Sequence, residues 1–402
     1  MNRDFFDLFL EYDFSGISNE GKCKSFKKWL DLPPEIGQMI IQNMNIVTRS
    51  RFASSSKTNY SFEMALRFPI FALGVIEGFG GIPNYFDEEK RHFVKLEIDF
   101  DESRENFIKL KFVKEGDDCF LYRRSRRKYW KIIGATKNMD YKEAAQNYVQ
   151  MILQKTKYQI KEINVETTSF RLKSILFACF KNIERFKISS ENLDSLLWYI
   201  EKMGRKMIYL EISAKDCNGM ELFLPPDFID IIMPQLVNCE KISFIALPGF
   251  DDEQFFKLKA KEIEMRMDSR SMISIKTLNE FLKKWIKGEL RDDFVQLFTW
   301  IGYRFDIDEL LEGINVTKWD DGFKSKNYLF VEEFEDNTLM YETEDDFEVK
   351  NENETKAATL RISHNIFSFC VTGFQFNGKL VHRIPWKSRP PFFRPLPISE
   401  NY

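Results

Sequence analysis

Side chains able to move protons or hold metals are scarce in this chain. Only three histidines, His92, His364 and His382, occur in 402 residues, and histidine is the commonest proton carrier and metal ligand. Six cysteines (Cys23, Cys119, Cys179, Cys217, Cys239, Cys370) are spread out, with no CxxC pair and no closely spaced Cys/His set. They read as reduced thiols of an intracellular protein rather than zinc ligands or a disulfide framework. No Walker loop, Gly-x-Ser-x-Gly, His-Glu-x-x-His or strand-borne Gly-x-Gly-x-x-Gly is present. Gly74, Gly78, Gly80 and Gly81 follow an apolar run, but no lysine and Ser/Thr follow them to make a phosphate cradle. Glu344-Asp345-Asp346 lacks the Asp-x-Asp-x-Asp-Gly loop that holds calcium. The expectation is a protein with no catalytic residue, metal or cofactor: one that is not an enzyme.

One segment could bind anions. Arg123, Arg124, Arg126 and Arg127, followed by Lys128, lie between Tyr122 and the pair Tyr129-Trp130. Arginine forks grip phosphate bidentately and aromatic rings stack on bases. Run 122–131 therefore supports a nucleic-acid-associated binding protein as the alternative function, a phosphopeptide grip, or a nuclear-localisation patch. More often such a run is a solvated turn between two strands.

The overall balance points away from a polycation. Lysine plus arginine number 59 and aspartate plus glutamate 62, a net charge of −3. The N-terminus carries Arg3, Asp4 and Asp7 and is no secretory signal. The longest apolar run, 69–82, is broken by Glu77 and is too short to span a bilayer. A soluble protein of cytoplasm or nucleus, without membrane contact, is expected. Forty phenylalanines point to a large aromatic interior.

The elements that would position these residues fall into blocks. A weakly patterned leader covers 1–27. From 28 to 70 the period is helical: Pro33 and Pro34 suit a first turn, and Ile36, Met39, Ile40 and Met44 form one apolar stripe. Between 90 and 136 the period becomes two, as in 92–100 and 107–113, with 115–118 as a turn, predicting an antiparallel meander. From 137 to 330 helices alternate with strands. Helices are expected at 141–154, 170–179, 191–203, 226–236, 251–258 and 275–287, and strands at 162–165, 183–188, 207–212, 241–246, 262–265 and 294–298. Strand centres roughly 20 to 33 residues apart overlap the leucine-rich-repeat range, predicting a curved parallel sheet with flanking helices, with a doubly wound sheet as the competing architecture. Residues 331–356 read as an acidic loop, 357–382 as terminal strands, and 383–402 as a Pro-rich tail.

Two segments carry a family resemblance. Residues 32–62 open with Leu32-Pro33-Pro34-Glu35-Ile36, continue through Ile40 and Met44, and close with Arg51-Phe52, Ser56-Lys57 and Tyr60. This order resembles an F-box, with Gly37 where that family usually has leucine. Downstream, Leu278-Asn279, Phe281-Leu282, Trp285-Ile286 and Gly288 are similar to the F-box-associated domain, type 2, of nematode F-box proteins, and Ala358-Thr359-Leu360 matches its late strand.

The resemblance implies an N-terminal three-helix F-box followed by an α/β, leucine-rich-repeat-like domain. It implies a substrate-recognition adaptor of an SCF-type ubiquitin ligase. Leu32, Pro33, Ile36, Ile40, Met44 and Phe52 would contact a SKP-family adaptor and, through it, a cullin scaffold, while the C-terminal domain would hold a target protein.

Overall fold

The computed structural model describes residues 70–80, 90–104, 107–124, 129–154, 160–180, 182–204, 206–267, 273–301, 306–338, 345–363 and 366–383, with Gly37, Ile40, Ile41, Met44, Thr48, Phe52 and Ser55 ahead of them. The leader and the tail beyond Arg383 lie outside the described residues, as does most of the expected helical unit at 28–70. The chain divides into two units, one of Met1–Ile188 with Lys202–Gly204, the other of Ser189–Glu201 with Arg205–Tyr402.

In the first unit, period-two runs become strands β1 (Ala72–Gly80), β2 (Arg91–Asp99), β3 (Phe107–Glu115), β4 (Asp118–Arg124) and β5 (Trp130–Thr136). Helix α1 (Tyr141–Gln154), strand β6 (Glu162–Glu166), a 3-10 turn at Ser174–Phe180 and strand β7 (Arg185–Ser190) follow. The strand order is β7-β6-β1-β2-β3-β4-β5, with β1 antiparallel to β2 and parallel to β6. Val94, Leu96 and Ile98 alternate on one face and are fully buried. Helix α1 packs against β2, β3 and β4, with Tyr148 meeting Phe112 at 5.6 Å. Each such large apolar side chain contributes roughly 1.5–3 kcal/mol of burial free energy.

Strand β1 occupies the glycine-containing run that the sequence pattern left unassigned. Its glycines have a steric role: the ring of Phe93 lies across Gly78, and a Cβ there would stand 2.7 Å from Phe93 Cζ. The helix expected at 170–179 is instead the short 3-10 turn.

The second unit contains α2 (Leu193–Lys202), β8 (Tyr209–Ala214), β9 (Phe223–Leu224), α3 (Pro226–Leu236), β10 (Lys241–Ile245), β11 (Leu247–Pro248), α4 (Asp252–Lys257), β12 (Glu262–Met267), α5 (Ile275–Ile286) and β13 (Gln296–Ile301). It closes with α6 (Ile307–Leu310), β14 (Val316–Lys318), α7 (Asp321–Lys326), α8 (Tyr328–Thr338), β15 (Asp345–Lys350), β16 (Lys356–Ser363), β17 (Ile366–Phe376) and β18 (Lys379–His382). Strands β8, β10, β12 and β13 pair in parallel, then β17, β16, β15 and β14 continue antiparallel, with β18 also on β17. The helix starts are written locally. Pro226 begins α3, and capping boxes of Asp251 with Gln254 and Ser274 with Thr277 begin α4 and α5.

The acidic segment 331–356 is not one loop. It holds most of α8 and all of β15. Phe330, Val331 and Phe334 share a buried face with Trp319 and Cys370, which turns Glu332 and Glu333 outward. In β15 two carboxylates face inward because they have partners. Asp346 accepts two bonds from Arg361, at 2.8 and 2.9 Å, and Glu348 lies 3.0 Å from His382 Nε2. Both faces of β15 are thus buried, Phe347 and Val349 on one and Asp346 and Glu348 on the other.

Candidate partner-binding surfaces

The expected adaptor-binding residues divide. Leu32, Pro33 and Ile36 lie outside the described residues. Ile40 and Phe52 have helical backbone; Ile40 is 38% exposed, and Phe52 and Met44 are half-buried. Ile41, which is not part of the expected stripe, is fully buried. The chain at this point thus turns one isoleucine inward and leaves its neighbour at the surface.

The basic run lies at the tip of the β4–β5 hairpin. Arg123 and Arg124 end β4 and are half-buried, whereas Arg126 and Arg127 lie outside the described residues. Arg123 pairs across the ladder with Lys131, and Arg124 with Trp130. Of the three aromatics flanking the run, two are turned inward and Tyr129 stays 47% exposed: Tyr122 is 3% exposed and donates to Glu115 Oε1 at 2.9 Å, and Trp130 is 9% exposed. Both pack with Val113, Phe93 and Phe120. Lys111 reaches over this group, its Nζ 3.8 Å from the Phe93 ring centre and 5.7 Å from that of Trp130. Burial, reinforced by nearby Lys95, brings the Lys111 ammonium down to about 8.

On the same unit, Glu77 near the end of β1 fills a nest of donors. Its carboxylate accepts from the Thr167 and Ser169 hydroxyls and from the backbone N–H groups of Thr168, Ser169 and Phe170, at 2.7–3.0 Å. Lys142 Nζ of α1 adds an ion pair at 2.6 Å. Burial alone would raise this acid, but the donors outweigh it and hold it down at about 2. The nest is therefore a structural lock already occupied by a side chain of the protein itself.

In the second unit one face of the parallel strands is polar. Register places Tyr209, Lys241, Glu262 and Gln296 in one row, and Glu211, Ser243, Glu264 and Phe298 in the next. Lys241 pairs with Glu262 at 2.6 Å, Arg266 pairs with Glu221, and Tyr209 donates to Glu211. Glu264 is 5% exposed, and its Oε1 has no hydrogen-bond partner. Burial pushes its carboxyl up to about 8, with Lys241 opposing and Glu211 and Glu262 adding. Period two alone could not mark this face, because a parallel strand is commonly apolar on both sides.

The helix that carries the downstream motif is α5. Leu278, Phe281, Leu282 and Trp285 are buried, Ile286 is half-buried, and Gly288 follows the C-cap with φ +72. Asn279, a polar member of that motif, is 8% exposed. Its amide donates to the carbonyls of Leu310 and Glu312 at 2.8 and 3.0 Å, closing the end of α6.

Among the described residues no group of three or more His, Cys, Asp or Glu could hold a metal ion. Burial drives the Cys119, Cys239 and Cys370 thiols up to about 12, so these three are not thiolates near neutral pH. His92 packs against Phe79 with tilted rings, centres 4.7 Å apart, His382 lies against Glu348, and His364 lies outside the described residues. No helix among the described residues is long and apolar enough to cross a membrane.

Comparison with known proteins adds one relative. An uncharacterized F-box protein of Caenorhabditis elegans is 25% identical over 203 residues, which make up 50% of this chain and 51% of that protein. The chain thus spans about half the length of the curated relative it matches. No family model matches. No solved structure matches either.

Proposed function

We propose that this chain is an F-box-type substrate-recognition adaptor of an SCF-type ubiquitin ligase. Its N-terminal segment would dock on a SKP-family adaptor through Leu32, Pro33, Ile36, Ile40, Met44 and Phe52. Through that adaptor it would join a cullin scaffold, while the α/β remainder, read as leucine-rich-repeat-like, holds a target protein. The observation that carries the reading is the 25% identity to a nematode F-box protein in a chain that itself has the Leu-Pro-x-Glu-Ile opening at 32–36. The mechanism is positional: holding a target beside a charged conjugating enzyme raises the effective concentration of its lysines, with no chemistry on this chain.

Of the aromatics beside the basic run that the nucleic-acid alternative would use, Tyr122 and Trp130 are core residues and Tyr129 is 47% exposed. Pull-down of the full chain with a SKP-family adaptor tests the proposal. Wild type should retain the adaptor and Leu32→Ala/Pro33→Ala should lose it. A folded wild type that retains none would overturn the reading.

A further inference from the structure

Four carboxylic side chains are buried among the described residues: Glu162, Glu264, Asp346 and Glu348. Three of them have a basic partner. Glu162 meets Arg104 at 2.9 Å, Asp346 meets Arg361 at 2.8 Å and Glu348 meets His382 at 3.0 Å. Among the described residues no base pairs with Glu264, and no group donates to its buried Oε1. A buried acid without a donor is costly, so the exception points to a donor from outside the chain.

The register of the second unit shows what surrounds it. Glu264 stands between Ser243 of β10 and Phe298 of β13, with Glu211 of β8 one strand beyond Ser243. The charged groups facing Glu264 are Glu211, Lys241, and Glu262 and Arg266 of its own strand. Both bases are committed elsewhere, Lys241 to Glu262 at 2.6 Å and Arg266 to Glu221. Tyr209 of β8 donates to Glu211. Strand β13 brings Gln296, Phe298 and Trp300 to this face, none of them titratable. Phe298 packs with Trp300 and Ile366, an apolar wall beside the acid. Around the buried centre, Lys241, Glu262, Arg266 and Trp300 remain partly exposed, so the face is open at its rim.

The chemistry that completes this face is a cation with a slender apolar stem. Lysine is the protein side chain that fits: a compact ammonium with three donors on an unbranched chain of four carbons. We propose that Glu264 is a recognition acid for a lysine of a partner protein, whose ammonium donates to the Glu264 carboxylate while its stem lies against Phe298 and Trp300. This rests on and deepens the adaptor reading by naming the chemistry of what is held. It is tested without the SKP-family adaptor, so that the two can fail separately.

Binding must carry a proton signature. Burial holds the free Glu264 carboxyl up at about 8, so below that pH its proton has to leave for solvent before the ammonium can pair. The lysine itself stays charged throughout this range. Affinity should therefore rise with pH, by nearly tenfold per unit between pH about 6 and about 7.5, and level off above about 8.

The test is fluorescence anisotropy on the full-length chain with a rhodamine-labelled alternating Thr-Lys octapeptide, compared with the same peptide acetylated on every lysine. At pH 8 the Thr-Lys peptide should bind at least about tenfold more tightly than the acetylated one, and its affinity should fall at least about tenfold on going to pH 6. Glu264→Gln, which keeps the shape, should lose about tenfold at pH 8 and bind with a flat pH profile. Equal binding of the acetylated peptide, or no binding of either, would overturn the proposal. Unchanged affinity in a Glu264→Gln variant with native circular dichroism would also overturn it and would put the cation on other carboxylates, such as those of segment 332–354. A flat profile for wild type overturns it as well, and that measurement decides the matter even if the variant does not fold.

Discussion

Phe369 of β17 stands edge-on to Trp285 of α5, their ring centres 5.0 Å apart. The same ring meets Phe281 at 5.5 Å. Phe369 is also the ladder partner of Leu360, in the strand that carries Ala358-Thr359-Leu360. The downstream helical motif and the late Ala-Thr strand, 70 or so positions apart in the chain, are therefore joined through one phenylalanine. Their co-occurrence in the sequence has a physical cause, since each motif supplies a wall of the same aromatic core.

Removing either ring should be severe. Trp285→Ala and Phe369→Ala each leave a cavity, and about 3–5 kcal/mol should be lost from each. Because the rings touch, the double variant should lose less than the sum. Urea unfolding of the four proteins measures this; additive losses would mean that the contact contributes nothing of its own.

Glu77 should make stability depend on acid. Its carboxyl is held at about 2, against an ordinary value of 4.5. A depressed acid stabilises the fold fully above its unfolded value and loses that contribution as pH falls through the folded one. Wild type should accordingly lose on the order of 2–3 kcal/mol between pH about 5 and pH about 2 on account of this group. Glu77→Gln should already lack most of that contribution at neutral pH and show a flatter acid limb. Parallel acid limbs for the two proteins in urea unfolding at stepped pH would contradict the assignment.

What the sequence made legible followed period and punctuation. Strands β2 and β3 were readable because Val94, Leu96 and Ile98 alternate with polar neighbours, and α5 because Leu278, Phe281, Leu282 and Trp285 recur at helical spacing before Gly288. Strand β1 was hidden because Gly74 and Gly78 stand where alternation needs side chains, and the reason, the Glu97 and Phe93 side chains lying against them, belongs to the neighbouring strand. Strand β15 has the alternation of a strand in Asp346-Phe347-Glu348-Val349-Lys350, but it sits in a segment so rich in carboxylates that the whole reads as a loop, and what buries its acids, Arg361 and His382, lies elsewhere in the sequence. The basic run was found as charge, but the burial of Tyr122 and Trp130 beside it depends on the Val113 and Phe93 packing that only the folded meander supplies.

Glu264 should act in the opposite sense to Glu77. With its carboxyl pushed up to about 8, the folded state holds a proton that the unfolded chain releases above an ordinary carboxylate value. Stability should fall as pH rises from about 4.5 to about 8, by a few kcal/mol at most from this group. Glu264→Gln removes the titration while keeping the shape. It should flatten that decline and raise stability at pH about 8 by roughly 1–3 kcal/mol. Chemical unfolding across this pH range reads it directly, and a variant less stable than wild type at pH about 8 would contradict the prediction.

Gly78 tests the packing of the meander. Phe93 lies across it so closely that an added Cβ would stand 2.7 Å from Cζ and 3.2 and 3.3 Å from Cε2 and Cε1. Aromatic carbons tolerate no such approach, and the ring is wedged: it packs against the cluster of Val113, Tyr122 and Trp130 and carries Lys111 3.8 Å above its centre. Gly78→Ala should therefore cost about 1–3 kcal/mol, the range of an overpacked core, despite alanine's better backbone entropy. Phe93→Leu alone should cost about 1–2 kcal/mol through lost packing. In the combined variant the smaller side chain makes room for the new methyl, so the two losses should be clearly less than additive. Urea unfolding of the three variants decides the point, since strict additivity would mean that Gly78 and Phe93 do not share the space the structure gives them.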